Sequence, residues 1–218
     1  MTRKQFNLIV FDWDGTLIDS TPHIIRSIQR ACQDLGFPVP DSASASYIIG
    51  LELHDALQIA VPALDPSQYF LLAERYRVHY LSGDLHIKLF PGVREMLNEL
   101  CAADYLLAIA TGKSRGGLNR ALNLVQLMTM FDATRCADES FSKPHPAMLH
   151  SLMQELGQDA ARTLMIGDTT HDLQMASNAG IAAVAVSYGA HPAEKLGKLK
   201  PNFCARDVES LAHWLHEH

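Results

Sequence analysis

Two aspartates that stand two residues apart, Asp12 and Asp14, are the residues of this chain best suited to chemistry. They follow an apolar run, 8–11, that predicts a strand buried on both faces, and they precede Gly15 and Thr16. Residues i and i+2 of a strand point to the same side, so the two carboxylates repel each other unless a cation compensates for them. The pattern predicts a site for Mg²⁺, which takes oxygen ligands. A plain strand end followed by an Asp-Gly turn would give the same residues.

Two later apolar strands, predicted over 105–110 and 163–166, also end in small or polar residues. The first is followed by Thr111 and Gly112, and the second by Gly167, Asp168 and Asp172. A single aspartate at such a place is often only a helix N-cap. Three strand ends of this kind favour a shared site, because ligands of parallel sheets gather at the carboxyl ends of the strands. We expect the three ends to border one crevice.

These residue types would suit a phosphoryl ligand. One carboxylate can attack phosphorus, and a second can protonate the leaving oxygen and later activate water. Thr111 and the backbone amides after it, where a helix begins, can donate to phosphate oxygens. A lysine can neutralise the developing charge, and the best candidate is Lys143, which stands between Ser142 and Pro144 ahead of a predicted helix. Taken alone, the segment around Lys143 is also typical of a plain helix entry.

The order of predicted elements indicates the fold class. After the first strand, residues 18–86 show helical spacing and no strand signal of comparable strength, so we predict a helical insert there. From residue 87 onward, helices and short apolar strands alternate. This alternation is typical of an α/β protein with a parallel, Rossmann-like sheet covered by helices on both faces. We therefore predict a core domain formed by 1–17 and 87–218, with a small helical domain formed by 18–86.

The composition excludes several classes of protein. The chain has 218 residues and a formal net charge of −6, from 18 basic and 24 acidic residues, which argues against a nucleic-acid surface. The apolar stretch near the N-terminus is too short for a membrane segment. The four cysteines are scattered without metal-site spacing, which predicts free thiols and a cytoplasmic protein. We also expect a monomer, because no heptad pattern stands out.

Four segments of the chain resemble, in order, the four motifs of haloacid-dehalogenase-type phosphohydrolases. They are Asp12–Thr16, Thr111–Gly112, Lys143–Pro144 and Gly167–Asp172. The nearest branch is similar to the phosphoglycolate phosphatases, in which a helical cap follows the first motif. The resemblance implies that the helical insert is such a cap. Trp13 departs from the aliphatic residue common in the first motif, and we expect its side chain to point away from the carboxylates.

The resemblance also implies a role for each matched residue. Asp12 would be the nucleophile, and Asp14 would be the acid/base. Mg²⁺ would bind Asp12, Asp168 and the main-chain carbonyl of Asp14, with Asp172 completing the metal shell or orienting Lys143. Thr111, Gly112 and Lys143 would hold the phosphoryl group, and Gly50 of the cap would lie in a loop that contacts the substrate. The roles of Lys113, Arg115, His23 and His171 stay open.

The activity implied by this resemblance is Mg²⁺-dependent hydrolysis of a small phosphomonoester, either phosphoglycolate-like or a sugar phosphate, through a phospho-Asp12 intermediate. One alternative is a phosphotransferase or mutase of the β-phosphoglucomutase type. Its arginine near the cap loop has no counterpart between Arg30 and Arg75, which weakens that reading. A different class of alternative is a phospho-ligand-binding protein that has the fold without turnover.

Overall fold

A single parallel sheet organises the chain in the computed structural model, which describes residues 4–83 and 88–218. Its strands are β1 (Leu8–Phe11), β2 (Leu106–Ala110), β3 (Ala133–Arg135), β4 (Thr163–Gly167), β5 (Ala182–Val186) and β6 (Phe203–Ala205). Their order across the sheet is β3-β2-β1-β4-β5-β6, and every neighbouring pair is parallel. The predicted α/β fold with a Rossmann-like parallel sheet is therefore confirmed. The order reverses direction at β1, where the crevice of such a sheet opens.

Ten α-helices belong to the described residues. They are α1 (Thr21–Leu35), α2 (Ser42–Tyr47), α3 (Leu53–Ala60), α4 (Gln68–Gly83), α5 (Val93–Ala102), α6 (Arg115–Leu124), α7 (Ala147–Glu155), α8 (Thr170–Ala179), α9 (Ala193–Gly197) and α10 (Val208–Glu217). Among the described residues, no helix combines the length and apolar character needed to cross a membrane.

Each face of the sheet packs into its own apolar layer, because strand residues alternate between the two faces. Ile9 and Phe11 of β1 pack with α5, α6 and α10 on one face, whereas Leu8 and Val10 pack with α7, α8 and α9 on the other. The indole of Trp13 is fully buried in the first of these layers, beside Phe11. The central strand is thus fixed from both sides, and its carboxyl end is held rigidly.

Helices α1 to α4, here called the cap, have a separate apolar cluster. Its fully buried members include Leu57 of α3 and Leu72 of α4, and α1 packs along α4. The chain leaves the sheet region at Ile18 and returns at Leu89, where the two residues form an antiparallel bridge. The predicted boundary between residues 86 and 87 lies outside the described residues.

Candidate active site

Asp12 lies at the carboxyl end of the central strand and is fully buried. Its N–H donates to the carbonyl of Ile166 over 2.9 Å, which continues the pairing of β1 with β4. Asp12 Oδ1 is ion-paired with Lys143 Nζ over 2.7 Å, whereas Asp12 Oδ2 has no hydrogen-bond partner among residues 4–83 and 88–218. Burial raises the pKa of Asp12 well above its usual value, because the attraction of Lys143 does not offset the lost hydration.

Lys143 reaches the same end of the sheet from the segment before α7. Its Nζ donates to Asp172 Oδ1 over 2.6 Å, so one ammonium lies between two carboxylates. Burial alone would lower the pKa of Lys143, but Asp12 and Asp172 raise it above the usual value. The second oxygen of Asp172 accepts hydrogen bonds from the N–H and the hydroxyl of Thr169, over 3.0 and 2.7 Å. Asp172 is therefore well held to orient Lys143.

Asp168 follows β4 and faces Asp12 across the crevice. Its two oxygens accept from the hydroxyl of Thr16 and from the N–H of Ala190, each over 2.7 Å. Burial, followed by repulsion from Asp172, raises the pKa of Asp168 to about 7. A Cβ on Gly15 would come within 2.2 Å of Asp168 Oδ2, and Gly15 has a φ of +82°. The glycine of the first motif is thus needed both for its backbone conformation and for room beside Asp168.

Three buried carboxylates meet here, and we call Asp12, Asp168 and Asp172 the carboxylate cluster. One oxygen of each lies within 4.8 Å of the others. Lys143 supplies one positive charge, whereas the three carboxylates carry three negative charges when all are ionised. The cluster then keeps a net negative charge that Lys143 does not neutralise. Oxygen ligands of this kind suit a hard divalent cation such as Mg²⁺. The unpartnered Oδ2 of Asp12 fits the same interpretation.

The side chain of Asp14 faces away from the carboxylate cluster. Its Oδ1 accepts from the hydroxyl of Ser20 over 2.7 Å, and its Oδ2 lies 3.0 Å from Lys113 Nζ. Lys113 also donates to the hydroxyl of Tyr80 in the cap over 2.9 Å. Ser20 therefore makes no side-chain hydrogen bond to α1, although its position predicts an N-cap. Lys113, whose role the sequence left open, is the immediate partner of Asp14.

Thr111 and Gly112 follow β2 on the other side of β1. Thr111 is buried, and its Oγ1 accepts from the N–H of Lys113 over 3.2 Å. A Cβ on Gly112 would lie 2.4 Å from the carbonyl oxygen of Leu51 and 2.5 Å from that of Gly50. Gly50 and Leu51 lie in the loop between α2 and α3, here called the cap loop. Any larger residue at position 112 would therefore push the cap loop away from the core.

Gly50 brings the cap into contact with the core site. A Cβ on it would meet Thr169 Oγ1 at 3.4 Å and Asp12 Oδ2 at 3.9 Å. Its φ of +91° is strained for other residues. The structure thus brings Asp12, Lys143, Asp168 and Asp172 together, with Gly50 over Asp12 and Gly112 against Gly50. The side chain of Asp14 lies with Ser20 and Lys113 instead.

Two histidines also hold the cap to the core: His171, whose role the sequence left open, and His191, which sequence reasoning missed. His171 and His191 both donate through Nε2 to the carbonyl oxygen of Tyr47, over 2.8 and 3.0 Å. The ring of His191 stacks on Tyr47 with centroids 5.3 Å apart. Burial lowers the pKa of each histidine and favours its neutral form. Both histidines are far from Tyr47 along the chain, so no local sequence pattern indicates these contacts.

Two other open candidates lie elsewhere. Arg115, the first residue of α6, pairs with Glu139 at 2.6 Å and donates to the hydroxyl of Thr134 in β3. His23 donates through Nε2 to the carbonyl oxygen of Tyr80 within the cap, over 2.7 Å. Both side chains are therefore engaged in structural contacts in this arrangement.

Comparison with known proteins agrees with this geometry. Residues 9–186 match the family model described as haloacid dehalogenase-like hydrolase. The chain is 37% identical over 216 residues to "Probable phosphatase IndB" of Dickeya dadantii, covering 95% of this chain and 94% of that protein. It is 31% identical over 217 residues to the phosphoglycolate phosphatase of Aliivibrio fischeri, covering 95% and 96%.

A solved structure agrees as well. The crystal structure of a predicted phosphoglycolate phosphatase from Haemophilus somnus superposes with a TM-score of 0.85 at 26% identity. The match covers 97% of this chain and 98% of that one. The chain therefore belongs to the haloacid dehalogenase-like hydrolases, as an enzyme of the phosphatase kind that is similar to the phosphoglycolate phosphatases.

Proposed function

We propose that this enzyme is a Mg²⁺-dependent phosphatase that hydrolyses a small phosphomonoester through a phosphoryl intermediate on Asp12. The observation that supports this most is the state of Asp12. It is a fully buried carboxylate whose Oδ1 is paired with the ammonium of Lys143 and whose Oδ2 has no hydrogen-bond partner among the described residues. A structural carboxylate so deeply buried would normally have both oxygens satisfied. An unengaged Oδ2 suits a group that must bond to something else.

In the first step, an oxygen of Asp12 attacks phosphorus while the bond from phosphorus to the alcohol oxygen breaks. Asp14 gives its proton to that leaving oxygen, so the alcohol departs neutral. Lys143 balances part of the negative charge that collects on the phosphoryl oxygens, because it already lies 2.7 Å from the attacking carboxylate.

In the second step, water attacks phosphorus and the bond to Asp12 breaks, which releases inorganic phosphate. Asp14, now a carboxylate, takes the proton from that water. Ser20 and Lys113 hold the two oxygens of Asp14 in place, and this favours one fixed position for both proton transfers. The two aspartates of the first motif can divide the work because only Asp12 joins the carboxylate cluster.

The carboxylate cluster fits a Mg²⁺ ion. Asp12 and Asp168 would hold it directly, together with the main-chain carbonyl of Asp14. Asp172 accepts directly from the ammonium of Lys143, so we assign it to orienting Lys143. A bound ion would offset the repulsion between the attacking carboxylate and the negatively charged phosphate.

The remaining residues would hold the phosphoryl group and enclose it. We assign Thr111, Gly112 and Lys143 to binding the phosphoryl oxygens. We assign Gly50 to the cap segment that lies over Asp12 and closes the site. The separate apolar cluster of α1 to α4 supports a cap domain over 18–86, with the core formed by 1–17 and 87–218. The four free cysteines support the proposed cytoplasmic location, and the monomeric state stays a prediction.

Phosphate release from 4-nitrophenyl phosphate tests the proposal. We expect release with Mg²⁺, loss of release with excess chelator, and recovery when Mg²⁺ is restored. Asp12→Asn should lower kcat on the order of 10⁴-fold or more, because the nucleophile is removed. Asp65→Asn, at an exposed aspartate of the cap, is the matched control and should keep full activity. Retained activity in a folded Asp12→Asn protein would remove Asp12 from the nucleophile role.

A further inference from the structure

A cavity of about 500 Å³ lies between the cap and the core, beside Asp14. This volume falls in the range of pockets that enclose drug-sized molecules. Because Asp14 would protonate the leaving oxygen, the cavity beside it is where the alcohol part of the substrate must lie. That space is far larger than a two-carbon alcohol requires.

Apolar and aromatic side chains of the cap form the wall of this cavity. They come from α1, α3, α4 and the segment between α2 and α3, and include Ile24, Ile28, Ile49, Leu53, Ala56 and Tyr76. The rings of Tyr76 and Tyr80 lie 5.7 Å apart, and both line the cavity. Such a wall favours alkyl or aromatic groups, since their burial is stabilising.

Each charged residue that lines the cavity already has a partner within the protein, including Asp138, which accepts from the N–H of Arg115. Lys113 is held by Asp14 and by the hydroxyl of Tyr80. The Glu52 carboxylate accepts from the first N–H groups of α3. The side chain of Arg77 is half exposed and pairs with Glu74, whereas Arg120 is exposed. A carboxylate against the apolar wall would lose its hydration without a matched cation, which is unfavourable.

The cavity has this shape with the cap closed on the core. The backbone of Gly112 packs directly against the carbonyls of Gly50 and Leu51, which leaves no room even for a methyl group at position 112. The cap is therefore in contact with the core at Gly112, and the apolar wall lies beside Asp14.

We infer that this enzyme selects phosphate esters of uncharged alcohols with a large apolar or aromatic body, and disfavours esters of hydroxy acids such as phosphoglycolate. The inference rests on the proposed phosphatase activity. It separates this chain in selectivity from the phosphoglycolate phosphatases that it resembles.

The test is kcat/KM of the native enzyme with Mg²⁺ for ethyl, butyl and hexyl phosphate and for 2-phosphoglycolate. The alkyl esters differ little in chemical reactivity, so the series measures the cavity. We expect kcat/KM to rise about fourfold for each added methylene, and 2-phosphoglycolate to fall below ethyl phosphate. A flat or falling series, or 2-phosphoglycolate above ethyl phosphate, would overturn the inference and leave the proposed function standing. No turnover of any ester, 4-nitrophenyl phosphate included, would overturn the proposed function and the inference together.

A substitution in the wall of the cavity tests whether the cavity sets the selectivity for long alkyl esters. Gly116 of α6 lines the cavity, and no heavy atom lies within 4 Å of a Cβ built there. Gly116→Leu should therefore lower the ratio of hexyl to ethyl kcat/KM by about tenfold by filling space that the longer chain uses. Gly197→Leu is the matched control, because Gly197 is also a helical glycine with open space around it and lies outside the cavity. An unchanged ratio in a folded Gly116→Leu enzyme would contradict the assignment.

Discussion

The core and the cap meet at the candidate site with opposite chemistry. The core presents three buried carboxylates and a buried ammonium at the ends of rigid strands, whereas the cap presents mainly apolar side chains around a cavity. The charged groups are held by hydrogen bonds with fixed partners. The cap wall depends on side-chain packing, which tolerates changes of shape better than a charge tolerates the loss of its partner. The difference suggests that reaction type is built into the core and selectivity into the cap.

After Asp12→Asn, the largest effect should follow another change on the core side. Lys143→Met removes the ammonium between Asp12 and Asp172, so we expect kcat/KM for any ester to fall about 10³-fold. Steady-state kinetics on ethyl and hexyl phosphate checks this, with Lys198→Met at an exposed lysine as the control. A loss confined to one ester would contradict the division of roles between core and cap.

Asp14→Asn should have the next largest effect, because it removes the proton donor and acceptor. We expect kcat to fall about 10²-fold or more. 4-Nitrophenolate leaves without needing a proton, so the first step should remain fast and the phosphoenzyme should accumulate. Rapid mixing would then show a burst of about one nitrophenolate per enzyme. A steady slow release without a burst would place the function of Asp14 in the first step only.

The independence of the cap can be tested by a change in its apolar cluster. Leu57→Ala deletes a fully buried side chain of α3 and should destabilise the cap by about 3 kcal/mol. Hydrogen exchange should speed up in α1, α3 and α4 while β1, β2 and β4 keep their protection. Ile59→Ala on the same helix is the control, since Ile59 is 50% exposed. Equal loss of protection in the sheet would show that cap and core unfold together.

The smallest effect is expected where the two regions touch. Tyr80→Phe removes the hydroxyl that accepts from Lys113 and keeps the ring below the ammonium. The loss of one such hydrogen bond should lower kcat about fivefold. Tyr69→Phe is the control, because the hydroxyl of Tyr69 donates to Val61 within the cap. A Tyr80→Phe loss as large as that of Asp14→Asn would mean that the cap takes part in the proton transfer itself.

Much of the core could be predicted because its signals are local. Each apolar strand with a polar end is visible in a few consecutive residues, and the parallel sheet follows from their alternation with helices. The three-residue strand β6 is too short to show a periodicity, and it forms because β5 offers an open edge. The α9 helix has only five residues, so its sequence shows no helical periodicity that would predict it.

The contacts between regions could not be predicted, because they join residues far apart along the chain. Nothing near Lys113 indicates that its ammonium would lie between Asp14 and Tyr80. The approach of His171 and His191 to the carbonyl of Tyr47 is equally hidden. Such contacts depend on how the cap docks, and docking is set by the packing of whole surfaces.

The sequence by itself determined the catalytic chemistry available to this protein, because residue type and spacing along a strand decide which groups can reach one sheet edge. Residue type and spacing alone indicate Asp12, Asp14, Thr111, Lys143 and Asp168 as candidate site residues. Only the tertiary structure decided how these groups are held: burial leaves Asp12 Oδ2 without a hydrogen-bond partner among the described residues, and the carboxylate of Asp14 pairs with Lys113 and Ser20. The size and apolar character of the cavity were also decided there, since a cavity exists only between surfaces that the folded chain brings together.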